Sequence, residues 1–268
     1  MLNRFKLQEL TMQRLASATL RRIQDIPHRV AWNTSISKEN RTRLGKYSNC
    51  HTGQRCFILA NGPSLTQIEF PRLRNEFTIG MNRIYLIFDQ LQFVPSYYVC
   101  INELVLEQFV NDINNLPMPK FLNWNRRQLF DQKNQSTLFI RLAYGVKDFF
   151  GQDPKNDLSG GGTVTYTALQ LAYYMGFQQV ILVGLDHSYT ESGIPNKIEV
   201  RKYTEDTSHF HPGYFPQGIK WQLPDLKRSE IAYALAREQY EQNGRSILDA
   251  TIGGKCTVFE KVDFQTLF

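Results

Sequence analysis

The sequence predicts an α/β protein built on a Rossmann-like, doubly wound and mostly parallel sheet. The first observation is that short apolar runs alternate with segments of helical periodicity along most of the chain. The second is that four of these runs end on a polar residue: Asn61, Asn82, Asn102 and Asp186. Because ligands of such sheets bind at the carboxyl ends of the strands, these four side chains are expected to converge on one cleft.

The individual elements follow from the same patterns. The apolar runs predict strands at residues 56–60, 77–81, 96–101, 120–122, 137–142, 179–185 and 245–248. Apolar positions spaced three or four residues apart predict helices at residues 5–26, 103–115, 163–175 and 226–242. The polar residues 33–54 are expected to be a linker. A polar loop of roughly 40 residues after Asp186 is expected to cover the site as a lid.

The composition is typical of a folded protein with one main domain. Of the 268 residues, 42% are hydrophobic and 21% are charged, which is enough to bury a core. No apolar run approaches the ~18 residues that cross a bilayer, and Arg4, Lys6 and Glu9 interrupt the place of a secretory signal. The cysteines form no C-x-x-C pair, so reduced thiols and a cytoplasmic location are expected. They are Cys50, Cys56, Cys100 and Cys256.

The basic character of the chain is confined to its beginning. The formal charge is +6, but residues 1–50 hold ten Lys or Arg against three Asp or Glu, which leaves −1 for the other 218 residues. A nearly neutral body argues against nucleic acid as a partner. We expect a basic helical arm and linker over residues 1–50 and a nucleotide-binding transferase domain over residues 51–268. The arm either packs on the body or makes peripheral contact with an anionic membrane through residues 1–26.

The first loop, Asn61-Gly62-Pro63-Ser64, matches neither the G-x-G-x-x-G nor the G-x-x-x-x-G-K-S/T pattern. Its chemistry still suits a ligand, because Gly62 lets the backbone approach closely and Pro63 stiffens the turn. A short helix, which Ser64 or Thr66 can cap, is expected to follow, and its free N–H groups are suited to an anion. The alternative is a plain β-to-α turn.

The second loop is rich in glycine and stands directly before a helix. It comprises Ser159, Gly160, Gly161, Gly162 and Thr163. This arrangement is typical of a phosphate or ribose cradle, although a flexible linker has the same composition. Asp186, at the end of the clearest strand, is suited to hold a ribose or a metal ion, to act as a base, or to cap a helix.

Histidines cluster in or beside the long late loop, at positions 187, 209 and 211. The pair His209 and His211 has the H-x-H pattern of a zinc site, but only Asp206 stands near it at ligand spacing, so no metal site is predicted. General acid or base catalysis is the use that the side chain favours.

The strings CFILANGPSL, TIGMNRIY, SGGGTVTYTALQLAYYMGF and VILVGLDHSY resemble the 6-hydroxymethylpterin diphosphokinase MptE-like family. The same layout is similar to the small bacterial lipooligosaccharide sialyltransferases, and the resemblance spans about residues 55–265. It implies that Asn61, Asn82 and Asn102 bind a CMP-sugar donor, which the residues of the second loop also contact. It also implies that a histidine of the late loop, His209 or His211, is the general base.

The resemblance further implies a tyrosine pair that assists the departing phosphate. Tyr189 is a near match to the first tyrosine, shifted by about one residue, and Tyr203 and Tyr214 are candidates for the second. The implied function is a nucleotide-sugar-dependent glycosyltransferase. Its donor would be a CMP-activated acidic sugar and its acceptor a surface glycan or glycolipid intermediate, with no tightly bound cofactor.

Two alternatives remain open on the sequence. An MptE-like diphosphokinase would need ATP and Mg²⁺, for which Asp186, Asp206 and Glu103 are the well-placed acids. A non-catalytic nucleotide-binding module would use the same cleft. The sequence leaves the oligomeric state open.

Overall fold

The computed structural model describes residues 12–144, 147–189, 193–202 and 205–268, with the backbone alone for residues 12–18. The strands are β1 (Arg55–Leu59), β2 (Phe77–Met81), β3 (Tyr97–Cys100), β4 (Lys120–Asn123), β5 (Thr137–Ala143), β6 (Asp157–Ser159), β7 (Gln179–Val183), β8 (Ile198–Val200), β9 (Lys220–Gln222), β10 (Ser246–Asp249) and β11 (Glu260–Lys261). The α-helices are α1 (Met12–Trp32), α2 (Lys38–Gly45), α3 (Phe88–Leu91), α4 (Glu103–Gln108), α5 (Val110–Asn114), α6 (Val164–Tyr174) and α7 (Leu226–Gln242).

Nine strands form one sheet in the order β11-β10-β7-β1-β2-β3-β4-β5-β6, and every neighbouring pair is parallel. The chain builds the sheet outward from β1 to β6 and then returns to place β7 on the other side of β1. The predicted Rossmann-like, doubly wound α/β fold is confirmed. Its topological switch point, where such sheets bind ligands, lies between β1 and β7.

The central strands are buried on both faces, as their continuous apolar sequences predict. The last four residues of both β1 and β7 are buried. The two strands leave the sheet in close contact, because Gly184 follows β7 with a φ of +72°. A Cβ at Gly184 would lie 2.8 Å from the carbonyl oxygen of Ala60, so glycine is the residue that allows this approach.

The helix that follows the glycine-rich loop lies within the core. Residues 165–174 of α6 are all buried, and α6 packs between the sheet and α7. The buried Tyr240 hydroxyl of α7 donates a 2.7 Å hydrogen bond to the Leu169 carbonyl oxygen. This packing fixes where α6 begins, and therefore where the glycine-rich loop stands.

The N-terminal arm differs from the prediction. α1 extends to Trp32, and the expected linker contains α2. The physical reason is that Asn40 binds both the N–H and the carbonyl of Phe139 in β5, at 2.8 Å each, while Leu44 of the same helix is buried.

Residues 1–11, with Leu7 and Leu10, lie outside the described residues. The described part of the chain has no helix that combines the length and the hydropathy needed to cross a bilayer.

The predicted helix 103–115 is two short helices, because Phe109 has a non-helical backbone (φ −126°, ψ 31°) between α4 and α5. The late loop after Asp186 contains the antiparallel pair β8 and β9, which the sequence did not predict. The side-chain amide of Gln108 in α4 holds this hairpin. Its Nε2 donates to the Lys220 carbonyl oxygen and its Oε1 accepts from the Lys220 N–H, both at 2.8 Å.

Candidate functional site

The four polar residues at the strand ends lie on four adjacent strands. β7, β1, β2 and β3 are consecutive in the sheet, so Asp186, Asn61, Asn82 and Asn102 follow neighbouring strands at the same edge. Each of them is half-buried. The structure therefore brings together the residues that the sequence predicted to share a cleft.

Asp186 is engaged by the first loop. Its carboxylate accepts hydrogen bonds from the Ser64 hydroxyl at 2.7 Å and from the Ser64 N–H at 3.2 and 3.3 Å. Gly62 makes room for it, because a Cβ at Gly62 would lie 1.9 Å from Asp186 Oδ2. Gly62 and Ser64 thus position this carboxylate across the switch point, and in this arrangement Asp186 orders the loop.

Asn61 has both an engaged and a free polar group. Its carbonyl oxygen accepts a 3.0 Å hydrogen bond from the Phe210 N–H, which ties the late loop to the end of β1. Its side-chain Oδ1 is buried and makes no hydrogen bond to any described residue. A buried polar atom without a partner is costly, so a donor group of a ligand is the natural partner for this amide.

Asn82 and Asn102 hold specific backbone conformations. Asn82 has a φ of +47°, in the left-handed region that asparagine tolerates better than most residues, and its Oδ1 lies 3.5 Å from Cys100 Sγ. Asn102 caps α4, since its Oδ1 accepts from the N–H groups of Leu104 and Val105 at 3.0 and 3.3 Å. The Asn102 oxygen is used by the helix, which leaves its amide nitrogen for a ligand.

The glycine-rich loop already contains an internal anion. Asp148, whose side chain is 6% exposed, accepts from the Ser159 hydroxyl at 2.8 Å and from two nitrogens of Arg228 at 2.8 and 2.9 Å. The Gly161 N–H also donates to it. Burial alone would raise the pKa of Asp148, but the Arg228, Ser159 and Gly161 donors together leave it below 3.8. The expected phosphate cradle is thus partly filled by this carboxylate.

The start of α6 nevertheless lies beside the strand ends. The Thr165 hydroxyl is 3.7 Å from Met81 Sδ, directly before Asn82. Thr163 caps the helix, accepting from the Thr165 N–H at 3.3 Å. The N–H groups of Gly162 and Val164 make no hydrogen bond within the described part of the chain. Such free N–H groups at a helix start can bind an anion.

The late loop carries a histidine held by a carboxylate. His209 Nδ1 lies 2.9 and 3.0 Å from the oxygens of Asp206, whose side chain is fully buried. Burial acts to raise the pKa of Asp206, but the His209 contact, the Ser208 N–H and Arg201 leave it below the ordinary aspartate value. An anionic Asp206 keeps a proton on Nδ1, so Nε2 is the nitrogen that can accept one. His209 Nε2 makes no hydrogen bond to the described residues.

The other candidates of the late loop have different environments. His211 Nδ1 accepts from the Gly213 N–H at 3.0 Å and has no carboxylate beside it among the described residues. Tyr189 is 38% exposed, with its ring 6.0 Å from that of His209. Tyr214 is buried, its ring stacks on His209, and its hydroxyl accepts from the Arg83 N–H at 3.4 Å. Tyr203 lies outside the described residues.

A buried arginine, which the sequence reasoning missed, links the end of β2 to the late loop. Arg83 Nη1 donates to the carbonyl oxygens of Gly213, at 2.9 Å, and Tyr214, and its guanidinium carbon lies 3.8 Å above the centre of the Phe109 ring. Among the described residues no carboxylate pairs with it. The sequence signal for this residue is its position directly after Asn82, at the end of β2.

Two further pairings of the site were not predicted from the sequence. The first is that of Asp148 with Arg228, which are 80 residues apart and are joined by no local pattern. The second is that of Asp206 with His209. The sequence predicts Asp206 only as an acid for a metal ion, whereas its D-x-x-H spacing places both side chains on one turn.

The third histidine of this region is held by a helix. His187, with a φ of +55°, forms a 3.0 Å hydrogen bond with Glu230 of α7.

The acids named for a Mg²⁺–ATP site each have partners within the protein. Asp186 is bound by Ser64 and Asp206 by His209. Glu103 bridges Arg126, at 2.7 Å, and the Tyr144 hydroxyl, at 3.0 Å. Across the described residues, no group of three or more His, Cys, Asp or Glu side chains is placed to hold a metal ion.

Comparisons with known proteins agree with this architecture. The model of the family described as 6-hydroxymethylpterin diphosphokinase MptE-like matches residues 33–192, which is more than half of the chain. A search of curated proteins gives no match. Among solved structures, the MAf glycosyltransferase from Magnetospirillum magneticum AMB-1 is similar in fold, with a TM-score of 0.52 and 13% identity. The alignment covers 96% of this chain but 43% of that one, so this chain spans less than half the length of its structural relative.

Proposed function

This chain belongs to the MptE-like family, and we propose that it is a transferase that moves an acidic sugar from a CMP-activated donor to a hydroxyl group of a surface glycan or glycolipid intermediate. The observation that carries the proposal is the Asp206–His209 pair, which the Phe210–Asn61 hydrogen bond holds at the end of β1. A neutral histidine with its Nδ1 proton held by a carboxylate is a general base through Nε2.

The reaction follows from this geometry. His209 Nε2 takes the proton of the acceptor hydroxyl while that oxygen bonds to the anomeric carbon of the donor sugar. The bond between the anomeric carbon and the phosphate oxygen breaks, and CMP leaves with the electron pair. Tyr189, exposed beside His209, is the candidate to donate a hydrogen bond to the departing phosphate.

Donor binding would use the strand ends. The unpartnered amide of Asn61 and the amide nitrogen of Asn102 are suited to the hydroxyl and carbonyl groups of a nucleoside. The free N–H groups of Gly162 and Val164, at the start of α6, are suited to the phosphate. Asn82 follows β2, which lies between the strands that end at Asn61 and Asn102.

A second candidate is the reaction for which the family is named, pyrophosphoryl transfer from ATP to a pterin alcohol. It requires Mg²⁺ to neutralise the triphosphate. In this structure the three acids each serve a protein partner: Asp186 accepts from Ser64, Asp206 holds His209 and Glu103 pairs with Arg126. The glycosyl-transfer proposal uses the Asp206–His209 contact as it stands.

Calorimetry with CMP, CTP and ATP, with and without Mg²⁺, separates the candidates. Metal-independent binding of CMP is the expected result. Binding of ATP alone, and only with Mg²⁺, would favour the diphosphokinase. Nucleotide binding without transfer from any CMP-sugar to any glycan acceptor would favour a non-catalytic nucleotide-binding module.

The base assignment has its own matched pair of variants. Replacing His209 by Ala should lower turnover by about 10²–10⁴-fold while donor affinity stays nearly unchanged. His211→Ala, which removes a histidine two residues away without a carboxylate partner, serves as the control and should keep most of the activity. Equal activity of both variants and the natural chain would remove His209 from the mechanism.

A further inference from the structure

Helix α1 turns an apolar face toward solvent. Four large aliphatic side chains on it are more than half exposed: Leu20 (56%), Ile23 (58%), Ile26 (56%) and Val30 (58%). At the helical period of 3.6 residues they fall within an arc of about 120°. A helix that packs on a body normally turns such an arc inward, so this face lacks the cover that its sequence calls for.

Specific contacts on the opposite side fix this orientation. Asp25 forms a buried ion pair of 2.5 Å with Arg141 of β5. The Trp124 indole donates a 2.9 Å hydrogen bond to the His28 carbonyl oxygen. The ring of Trp32 packs edge-on against that of Trp124, with the ring centres 5.1 Å apart. Rotating the apolar face inward would break the Asp25–Arg141 pair and the Trp124–His28 hydrogen bond and would leave the buried Arg141 with Asp157 as its remaining partner. The face is therefore held outward by the body.

Two arginines run along one edge of the face. Arg22 and Arg29 are exposed and lie about 40° and 60° from the arc on the helical wheel, whereas Arg21, also exposed, lies nearer to Asp25. The acid of that helix, Asp25, is buried and neutralised by Arg141. Arg4, Lys6 and Glu9 precede the helix in the sequence. An apolar stripe with exposed arginines along one edge matches a surface that offers hydrocarbon and negative charge together.

We propose that this face of α1 binds an anionic lipid surface, with the four aliphatic side chains at the level of the headgroups and the arginines against the lipid phosphates. A second copy of this chain is a poorer occupant, because pairing two identical faces would bring their arginines together. The proposal stands apart from the transfer reaction, since it rests on α1 alone.

Co-sedimentation of the full chain with vesicles tests it. Vesicles of phosphatidylcholine mixed with phosphatidylglycerol should bind the protein at low salt, and vesicles of phosphatidylcholine alone should bind it weakly. Raising the salt should release it, because screening shortens the reach of the arginine charges. Failure to bind the anionic vesicles at low salt would overturn the proposal.

Two sets of uncharged substitutions locate the binding face. Leu20→Gln/Ile23→Gln/Val30→Gln should weaken binding at least about tenfold, because the apolar contact is lost. Arg22→Gln/Arg29→Gln should weaken it about 30-fold at low salt, at the fivefold that each arginine contributes near an anionic surface.

The matched control changes exposed aliphatic residues elsewhere. Val94→Gln/Ile252→Gln, at positions 50% and 43% exposed, should bind as the natural chain does. Circular dichroism checks that each variant keeps its helix content. If the triple variant binds vesicles as well as the control, or if sedimentation velocity shows a dimer that the triple variant abolishes, the face serves another purpose and the proposal is wrong.

Discussion

The imidazole of His209 lies parallel to the ring of Tyr214, with centroids 4.0 Å apart and 1° between the planes. Arg83 holds Tyr214 in turn, through two backbone carbonyls and through its own N–H to the phenol oxygen. The orientation of His209 is therefore set from two sides, by Asp206 at Nδ1 and by a buried aromatic ring. Arg83 is a positioning residue, since it acts on His209 through Tyr214.

We predict that Arg83→Lys lowers turnover about tenfold or more with little change in donor affinity, because the ammonium group cannot reproduce the planar, two-carbonyl contact. Steady-state kinetics together with calorimetry of CMP would separate the two effects. Arg74→Lys, at an exposed arginine that bonds Gln92, is the control and should be silent. A loss of folding without a change in turnover per folded molecule would mean that Arg83 has a structural role only.

Asp206 should matter nearly as much as the histidine that it holds. Asp206→Asn keeps the size of the side chain but removes the charge that holds the Nδ1 proton, and we expect turnover to fall by about 10²–10⁴-fold. The double variant with His209→Ala should be little worse than His209→Ala alone, because the two residues act as a unit. Fully additive losses would contradict this relationship.

Acid stability should depend on the two buried aspartates of the site. The folded pKa values of Asp148 and Asp206 lie below the ordinary 3.8, so the folded state binds fewer protons than the unfolded chain as the pH approaches that value. Their contribution to the free energy of unfolding is complete above the ordinary pKa and is lost as the pH falls through the folded one. Urea unfolding from about pH 6 down to pH 3 should show this fall.

The variant Asp148→Asn isolates one of the two contributions. It should be less stable than the natural chain at neutral pH, since Arg228 loses its partner, and should lose less stability on acidification. Exposed Asp131, whose side chain accepts from the N–H of Lys133 in the same turn, provides the control Asp131→Asn. A parallel pH dependence in all three proteins would contradict the assignment.

The four strand ends of the site could be predicted from the sequence, because each of these four strands is a local apolar run that stops at a polar residue. Parallel topology then places Asn61, Asn82 and Asn102 at one edge without further information. The linker prediction was wrong because Asn40 and Arg43 look polar in the sequence, yet both bind the backbone between Gln132 and Phe139. Side chains that substitute for strand partners leave no periodic pattern.

The interior of the site was less predictable for a different reason. The triple-glycine loop was interpreted as open to a ligand, but Asp148 enters it from a segment whose sequence has no motif. The choice between His209 and His211 depends on which one meets a carboxylate, and only the fold of the turn at Asp206 decides that. Contacts between distant or irregular segments are the part that sequence patterns do not encode.

The last prediction concerns the close packing at the switch point. Gly62→Ala should lower the free energy of unfolding by about 1–3 kcal/mol, the usual cost of overpacking, and should weaken nucleotide binding. The new Cβ would lie 1.9 Å from Asp186 Oδ2 and 2.6 Å from the carbonyl oxygen of Gly184, so both the carboxylate and the backbone would have to move. Urea unfolding and CMP calorimetry measure the two effects.

Two companion variants show where that cost comes from. Gly45→Ala, at the end of α2 with no atom within 4 Å of the new Cβ, should be neutral or stabilise the fold by up to about 1 kcal/mol. Combining Gly62→Ala with Asp186→Ala should recover part of the loss, because it removes the contact with the carboxylate but leaves the one with Gly184. If the two substitutions are simply additive, the new Cβ does not meet the carboxylate, and the loss in Gly62→Ala comes from the contact with the Gly184 backbone.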